Sequence, residues 1–94
     1  MIIQVPAIAI HPGEVLSDEL KSRNISQFDF ALQIGLKRSQ LNEIIKGKRA
    51  IKPNLSLLLE KALNINAEYW LNLQNQYDLD KIRIAKRDNK RLEA

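Results

Sequence analysis

The segment from Gln27 to Lys46 constrains this chain more than any other. Two short helical patterns meet there at Gly35, with Ala31 four residues before the glycine, Leu41 six after it and Ile44 three beyond that. Each position has a mechanical task in a helix-turn-helix. A small residue at 31 lets the second helix cross closely over the first, and Gly35 supplies the conformation that a sharp turn demands. Leu41 and Ile44 pin the second helix to a core, which leaves its opposite face free. That face is polar: Arg38, Ser39, Gln40, Asn42, Glu43 and Lys46. The first residues of such a helix are the ones lowered towards base edges in the major groove of DNA.

Two core helices joined by a glycine turn share part of this pattern, so charge has to discriminate. The formal net charge of +4 is unevenly spread. Residues 35–52 hold Lys37, Arg38, Lys46, Lys48, Arg49 and Lys52 against Glu43 alone, a balance of +5, while residues 1–34 and 53–79 each come to −2. The last segment, 80–94, returns to +3. A cationic patch between acidic flanks attracts polyanions, and it coincides with the helix-turn-helix spacing. That coincidence favours DNA over a merely solvated lysine surface.

The rest of the chain reads as further helices. Pro12 suits a first helical position, and Glu14 in the first turn favours the helix dipole. Val15, Leu16 and Leu20 give this helix an apolar stripe that ends near Asn24. Ser26 and Asp29 form a capping-box-like start for the second helix, in which Phe28, Ala31 and Leu32 share one face and Phe30 and Ile34 a neighbouring one. The third spans roughly 38–46, turns Leu41, Ile44 and Ile45 inward, and stops at Gly47. Pro53 opens a fourth, where Leu55, Leu58, Leu59, Ala62 and Leu63 follow core-facing helical spacing. Asn66 caps a fifth containing Trp70, Leu71, Leu73 and Tyr77. From Asp80 a basic helical extension continues, with Ile82, Ala85, Asn89 and Leu92 at heptad-like spacing. Residues 1–10, broken by Pro6, form either an extended arm or a short edge strand. The expected architecture is all-α, a five-helix domain over 11–79 with an N-terminal arm (1–10) and a basic tail (80–94).

Composition excludes several alternatives. The chain has no cysteine, so disulfide scaffolds, thiol chemistry and cysteine zinc modules are ruled out. A single histidine makes a histidine metal cluster improbable, and no cofactor is expected. The acids are scattered over polar helix faces, so no converging acid, base or nucleophile points to an enzyme. His11, beside a helix start, reads as a capping or packing residue, and Trp70 as core. The run Leu57-Leu58-Leu59 is too short to cross a bilayer. Met1-Ile2-Ile3 lacks the basic start of a signal peptide. A cytoplasmic location is expected.

Several segments together resemble the HigA family of antitoxins, addiction-module antidote proteins of the XRE (Cro/repressor-like) helix-turn-helix type. They are Ile10-His11-Pro12-Gly13-Glu14, the Gly35–Lys46 turn and helix, Gly47-Lys48-Arg49-Ala50-Ile51, and Trp70-Leu71-Asn72-Leu73-Gln74-Asn75-Gln76-Tyr77-Asp78-Leu79. The resemblance spans about 10–79. It implies a λ-repressor-like fold and a homodimer bound to the operator of its own operon. It also implies neutralisation of a HigB-type toxin, a RelE-like mRNA endonuclease. Lys37 and Lys52 depart from the family, which often has Ser there. A stand-alone XRE-type repressor without a toxin, or a protein-interaction module, are the competing readings.

Site residues follow on this frame. Arg38, Ser39, Gln40 and Asn42 are the candidates for reading bases, since Gln pairs bidentately with adenine and Arg with guanine. Lys46, Lys48, Arg49 and Lys52 are candidates for the phosphate backbone, which sets register without reading sequence. Lys37 joins them because it, like Lys52, occupies a helix N-cap position with no acceptor to offer and can instead hold a phosphate there. By position in the family pattern, Gln27 at the second helix's start also touches phosphate. Leu73 and Tyr77 are candidates for the subunit contact that a dyad operator demands.

Overall fold

The computed structural model describes residues 5–93, with side chains described as far as Lys90. Its described residues form five helices and no strand: α1 (Pro12–Ser22), α2 (Gln27–Ile34), α3 (Arg38–Ile45), α4 (Pro53–Leu63) and α5 (Ala67–Glu93). Among them no helix is long and apolar enough to cross a membrane.

Local chemistry sets most of the boundaries. At α2, Ser26 Oγ accepts from the backbone N–H of Asp29 at 3.1 Å, which satisfies one orphan donor of the first turn. Gly35 ends the helix at φ 76°, and the N–H groups of Gly35 and Leu36 both return to the Ala31 carbonyl. Asn24 and Asn64 take the same left-handed conformation after α1 and α4, a role Asn fills at modest cost. At the start of α5, Glu60 Oε2 accepts from the Ala67 N–H at 2.7 Å, so an acceptor there comes from α4.

The core gathers Leu16 and Leu20 from α1, Phe30 and Ala31 from α2, Leu41 and Ile44 from α3, Leu59 and Leu63 from α4, and Trp70 from α5, with Ile51 from the α3–α4 loop. Burying each such aliphatic side chain contributes about 1.5–3 kcal/mol. In α2 the buried side is Phe30 and Ala31, while Phe28 and Leu32 face outward. Trp70 is fully enclosed, and its indole Nε1 has no hydrogen-bond partner among the described residues.

Two junctions fix where α3 sits. The first turn of α1 abuts the last turn of α3 so closely that a Cβ at Gly13 would overlap the Ile44 carbonyl. The α3–α4 loop is tied to α5 by Gln74, a buried residue whose Oε1 accepts from the Ile51 N–H at 2.8 Å and whose Nε2 donates to Asp78.

Residues 5–10 are irregular, without the edge strand that was one expectation for this segment; residues 1–4 lie outside the described part. The arm runs beside α5, where Arg87 donates to the Pro6 carbonyl at 3.2 Å. Ala7, Ile8 and Ala9 border a shallow cleft with Tyr77, Ile84 and Ala85. α5 continues without a break through Asp80, and its 27 residues span ~40 Å of a molecule whose longest dimension is 50 Å. Ile82, Ala85 and Asn89 of the heptad-like series are exposed, and the Leu92 side chain lies outside the described part.

Candidate nucleic-acid interface

α3 is held from beneath and open above. Leu41 and Ile44 are buried at 0% and 2% exposure, while Arg38, Ser39 and Lys46 are exposed and Gln40, Asn42 and Glu43 half-buried. The polar face expected for a reading helix is therefore accessible, because only one side of an eight-residue helix can be committed to the core.

Several of these side chains already have partners. Gln40 Oε1 accepts from the Lys37 N–H at 3.2 Å, the reciprocal half of a capping box. Lys37 cannot supply the other half, since an ammonium has no acceptor. Reading adenine with both amide atoms would require Gln40 to give up this bond. Asn42 Nδ2 donates to Gln27 Oε1 at 3.4 Å, linking α3 to the first residue of α2. Arg38 stands at the start of α3 with its guanidinium carbon 5.9 Å from the centre of the Phe28 ring.

The cations of the patch differ in how free they are. Arg49 is held by Glu43, with N···O distances of 2.8 and 2.9 Å. Among the described residues Lys37, Arg38, Lys46, Lys48 and Lys52 have no carboxylate partner, so the local +5 is carried by groups available to an anion. Lys37 and Lys52 occupy the N-cap positions of α3 and α4 without a side-chain cap. Their charges add to the positive ends of two helices.

The candidates for a subunit contact, and His11, lie outside α3. Leu73 is partly buried against the core. Tyr77 is half-buried on α5, with the His11 ring edge-on at 4.7 Å and the Lys81 ammonium 5.3 Å from its centre. His11 caps α1: its Nδ1 accepts from the Gly13 N–H at 2.9 Å. Burial holds its pKa below the ordinary imidazole value, an effect Lys81 reinforces and Asp78, Glu14 and the Arg49 backbone carbonyl partly offset. Its ring also lies against Gly47, just beyond α3.

Gln74, which the sequence shows only as one residue of the Trp70–Leu79 segment, positions the cationic loop. Its signal was a polar residue on the apolar stripe Trp70, Leu73, Tyr77 of α5.

Known proteins share this arrangement. A family model described as helix-turn-helix matches residues 16–70. Virulence-associated protein I of Dichelobacter nodosus is 39% identical over 72 residues, covering 76% of this chain and 67% of that protein. A putative antidote protein of a plasmid maintenance system from Nostoc punctiforme is 32% identical with a TM-score of 0.81, covering 94% of this chain and 98% of its own. The Pseudomonas aeruginosa antitoxin HigA, solved with the higBA promoter, is 30% identical with a TM-score of 0.79, covering 92% and 95%.

Proposed function

This chain belongs to the helix-turn-helix family, of the XRE type, a DNA-binding family and not an enzyme class, and from that premise we propose that it is the antitoxin of a HigBA-type module. In this reading a homodimer binds the operator of its own operon through α3 and neutralises a HigB-type, RelE-like mRNA endonuclease. The observation that carries DNA binding is the accessible face of α3, ringed by five cations that no carboxylate among the described residues neutralises. The likeness to HigA and to a plasmid-maintenance antidote protein supports the antitoxin part.

Roles divide by chemistry. Arg38, Ser39, Gln40 and Asn42 face base edges. Gln27, Lys37, Lys46, Lys48, Arg49 and Lys52 hold phosphates, Arg49 after exchanging Glu43 for the backbone. The accessible parts of Leu73 and Tyr77 take the subunit contact. The domain covers 11–79, with the arm before it and the basic tail after it.

Binding to duplex from upstream of the reading frame tests the DNA part. Lys48→Ala is expected to weaken operator and random DNA alike and to flatten the salt dependence by ~1 unit. Gln40→Ala is expected to relax preference at one base pair, at ~1–3 kcal/mol. Equal losses on both duplexes remove Gln40 from the reading set. Co-expression with the adjacent reading frame tests the rest: rescue of growth supports the antitoxin, and no toxicity to rescue leaves a stand-alone repressor. The 29% identical HTH-type transcriptional regulator YddM of Escherichia coli favours that second reading.

A further inference from the structure

Phe28 is an anomaly on this surface. It is the second residue of α2, directly after Gln27, and it remains 52% exposed while its neighbour Phe30 is fully buried. Packing therefore does not account for it. What it does touch is informative: Arg38, the first residue of α3, lies with its guanidinium carbon 5.9 Å from the ring centre. The two backbones that carry the pair are rigidly related, because Phe30 and Ala31 anchor α2, Leu41 anchors α3, and the Gly35 turn joins them.

The two arginines of the patch are held in different ways. Arg49 is held by a carboxylate, which occupies part of the in-plane donor fork that a base or phosphate would use. Arg38 is held by an aromatic ring and, among the described residues, by no carboxylate. A ring attracts the cation through its quadrupole and limits its rotamers, yet takes none of the five N–H donors. An arginine so placed is pre-ordered with its fork free, which is what bidentate recognition of the O6/N7 edge of guanine requires.

We propose that Phe28 is a positioning residue for sequence recognition, holding Arg38 in the orientation that reads a guanine in the operator. The proposal rests on the reading of α3 as a DNA-binding helix and adds to it a residue outside the set that contacts bases or phosphates. Phe28 acts through Arg38, so its removal costs discrimination more than general affinity.

The test is titration of the full chain, with Phe28→Ala, Phe28→Tyr, Arg38→Ala and the Phe28→Ala/Arg38→Ala double variant. Each is titrated against the duplex from immediately upstream of its own reading frame and a shuffled duplex of equal composition. Phe28→Ala is expected to weaken binding to the upstream duplex by about three- to tenfold, in line with a cation–π contact and lost pre-ordering, while binding to the shuffled duplex changes less than about twofold. Phe28→Tyr, which keeps the ring, is expected to behave as the parent. In the Arg38→Ala background, removing Phe28 is expected to cost nothing more. Equal losses on both duplexes, or an undiminished loss without Arg38, overturn the proposal, since Phe28 would then act on the fold or on DNA directly. A parent chain that fails to distinguish the duplexes overturns the DNA-reading function itself. A parent that does so, with a damaging Arg38→Ala and a silent Phe28→Ala, overturns the positioning role alone.

Discussion

Replacing Gly13 by alanine separates helix propensity from packing, because the two give opposite signs. Gly13 lies in the first turn of α1, where propensity alone favours alanine by at most about 1 kcal/mol. The added Cβ, however, would overlap the Ile44 carbonyl oxygen and stand 2.8 Å from the Ile44 carbonyl carbon and 3.0 Å from His11 Nδ1. The obstacle is backbone, not the tip of a flexible side chain. Relief requires the first turn of α1 to withdraw from the last turn of α3 by roughly 1–2 Å, judged against the ~3.5 Å of a favourable carbon contact. That movement costs about 1–3 kcal/mol in packing and about 1 kcal/mol if the His11 cap is lost. After the propensity gain, Gly13→Ala is expected to destabilise the domain by about 1–3 kcal/mol. For a chain of this size that lowers Tm by on the order of 5–20 °C. Thermal and urea unfolding followed by circular dichroism measure it. Gly35→Ala serves as the comparison: it has φ +76° but nothing within 4 Å, so only backbone strain of about 1–2 kcal/mol is expected. A Gly13→Ala protein as stable as the parent would refute the close α1–α3 junction.

The other expectations concern single side chains. Burial holds the folded pKa of His11, whose Nδ1 accepts from the Gly13 N–H, below the unfolded value near 6.5. Above that value both states are neutral and the stabilisation is complete; as pH falls below it, the unfolded chain takes up a proton that the folded chain resists, and stability drops until the folded group protonates. Unfolding between pH 7.5 and 5.5 is expected to show this slope, and His11→Asn to remove most of it; an unchanged slope would place the titrating group elsewhere. Lys37→Ser supplies the missing acceptor at α3, with an expected gain of ~1 kcal/mol in stability and a salt dependence of DNA binding shallower by ~1 unit; unchanged DNA affinity and slope rule out a phosphate at this cap. Trp70→Phe removes an indole N–H that has no partner among the described residues and is expected to cost much less than the ~3–5 kcal/mol of Trp70→Ala. Equal losses in the two variants would mean that the N–H is satisfied.

What could be read in the chain was what depends on neighbours in sequence. The α2–turn–α3 unit rests on Ala31, Gly35, Leu41 and Ile44, all within fourteen residues, and Ser26, Pro12 and Pro53 mark helix starts through local chemistry. The harder questions turned on distant partners. Phe28 and Phe30 sit on neighbouring faces of α2, and only the placement of the other helices decides which is enclosed. Asn66 stands directly before α5 as expected, its carbonyl accepting from the Tyr69 N–H, but the further acceptor from Glu60 comes across the α4–α5 connection. The Glu43–Arg49 pair spans the end of a helix at a separation of six, a spacing that no helical pairing rule covers. Gln74 meets a backbone group 23 residues earlier, which no periodicity reveals.

The clasp between Arg87 and Pro6 joins positions 81 apart in the chain, far more than the short links that bring α1 to α4 together. With α1 already packed on α5 and His11 against Tyr77, only the short stretches beyond them remain to be ordered, and this partly solvated hydrogen bond offers little compensation. It is expected to be the last seam to close in folding and the first to open on warming. Amides of residues 84–90 should therefore exchange with solvent well before those around Trp70. On this expectation the α2–α3 unit is in place before Pro6 and Arg87 meet.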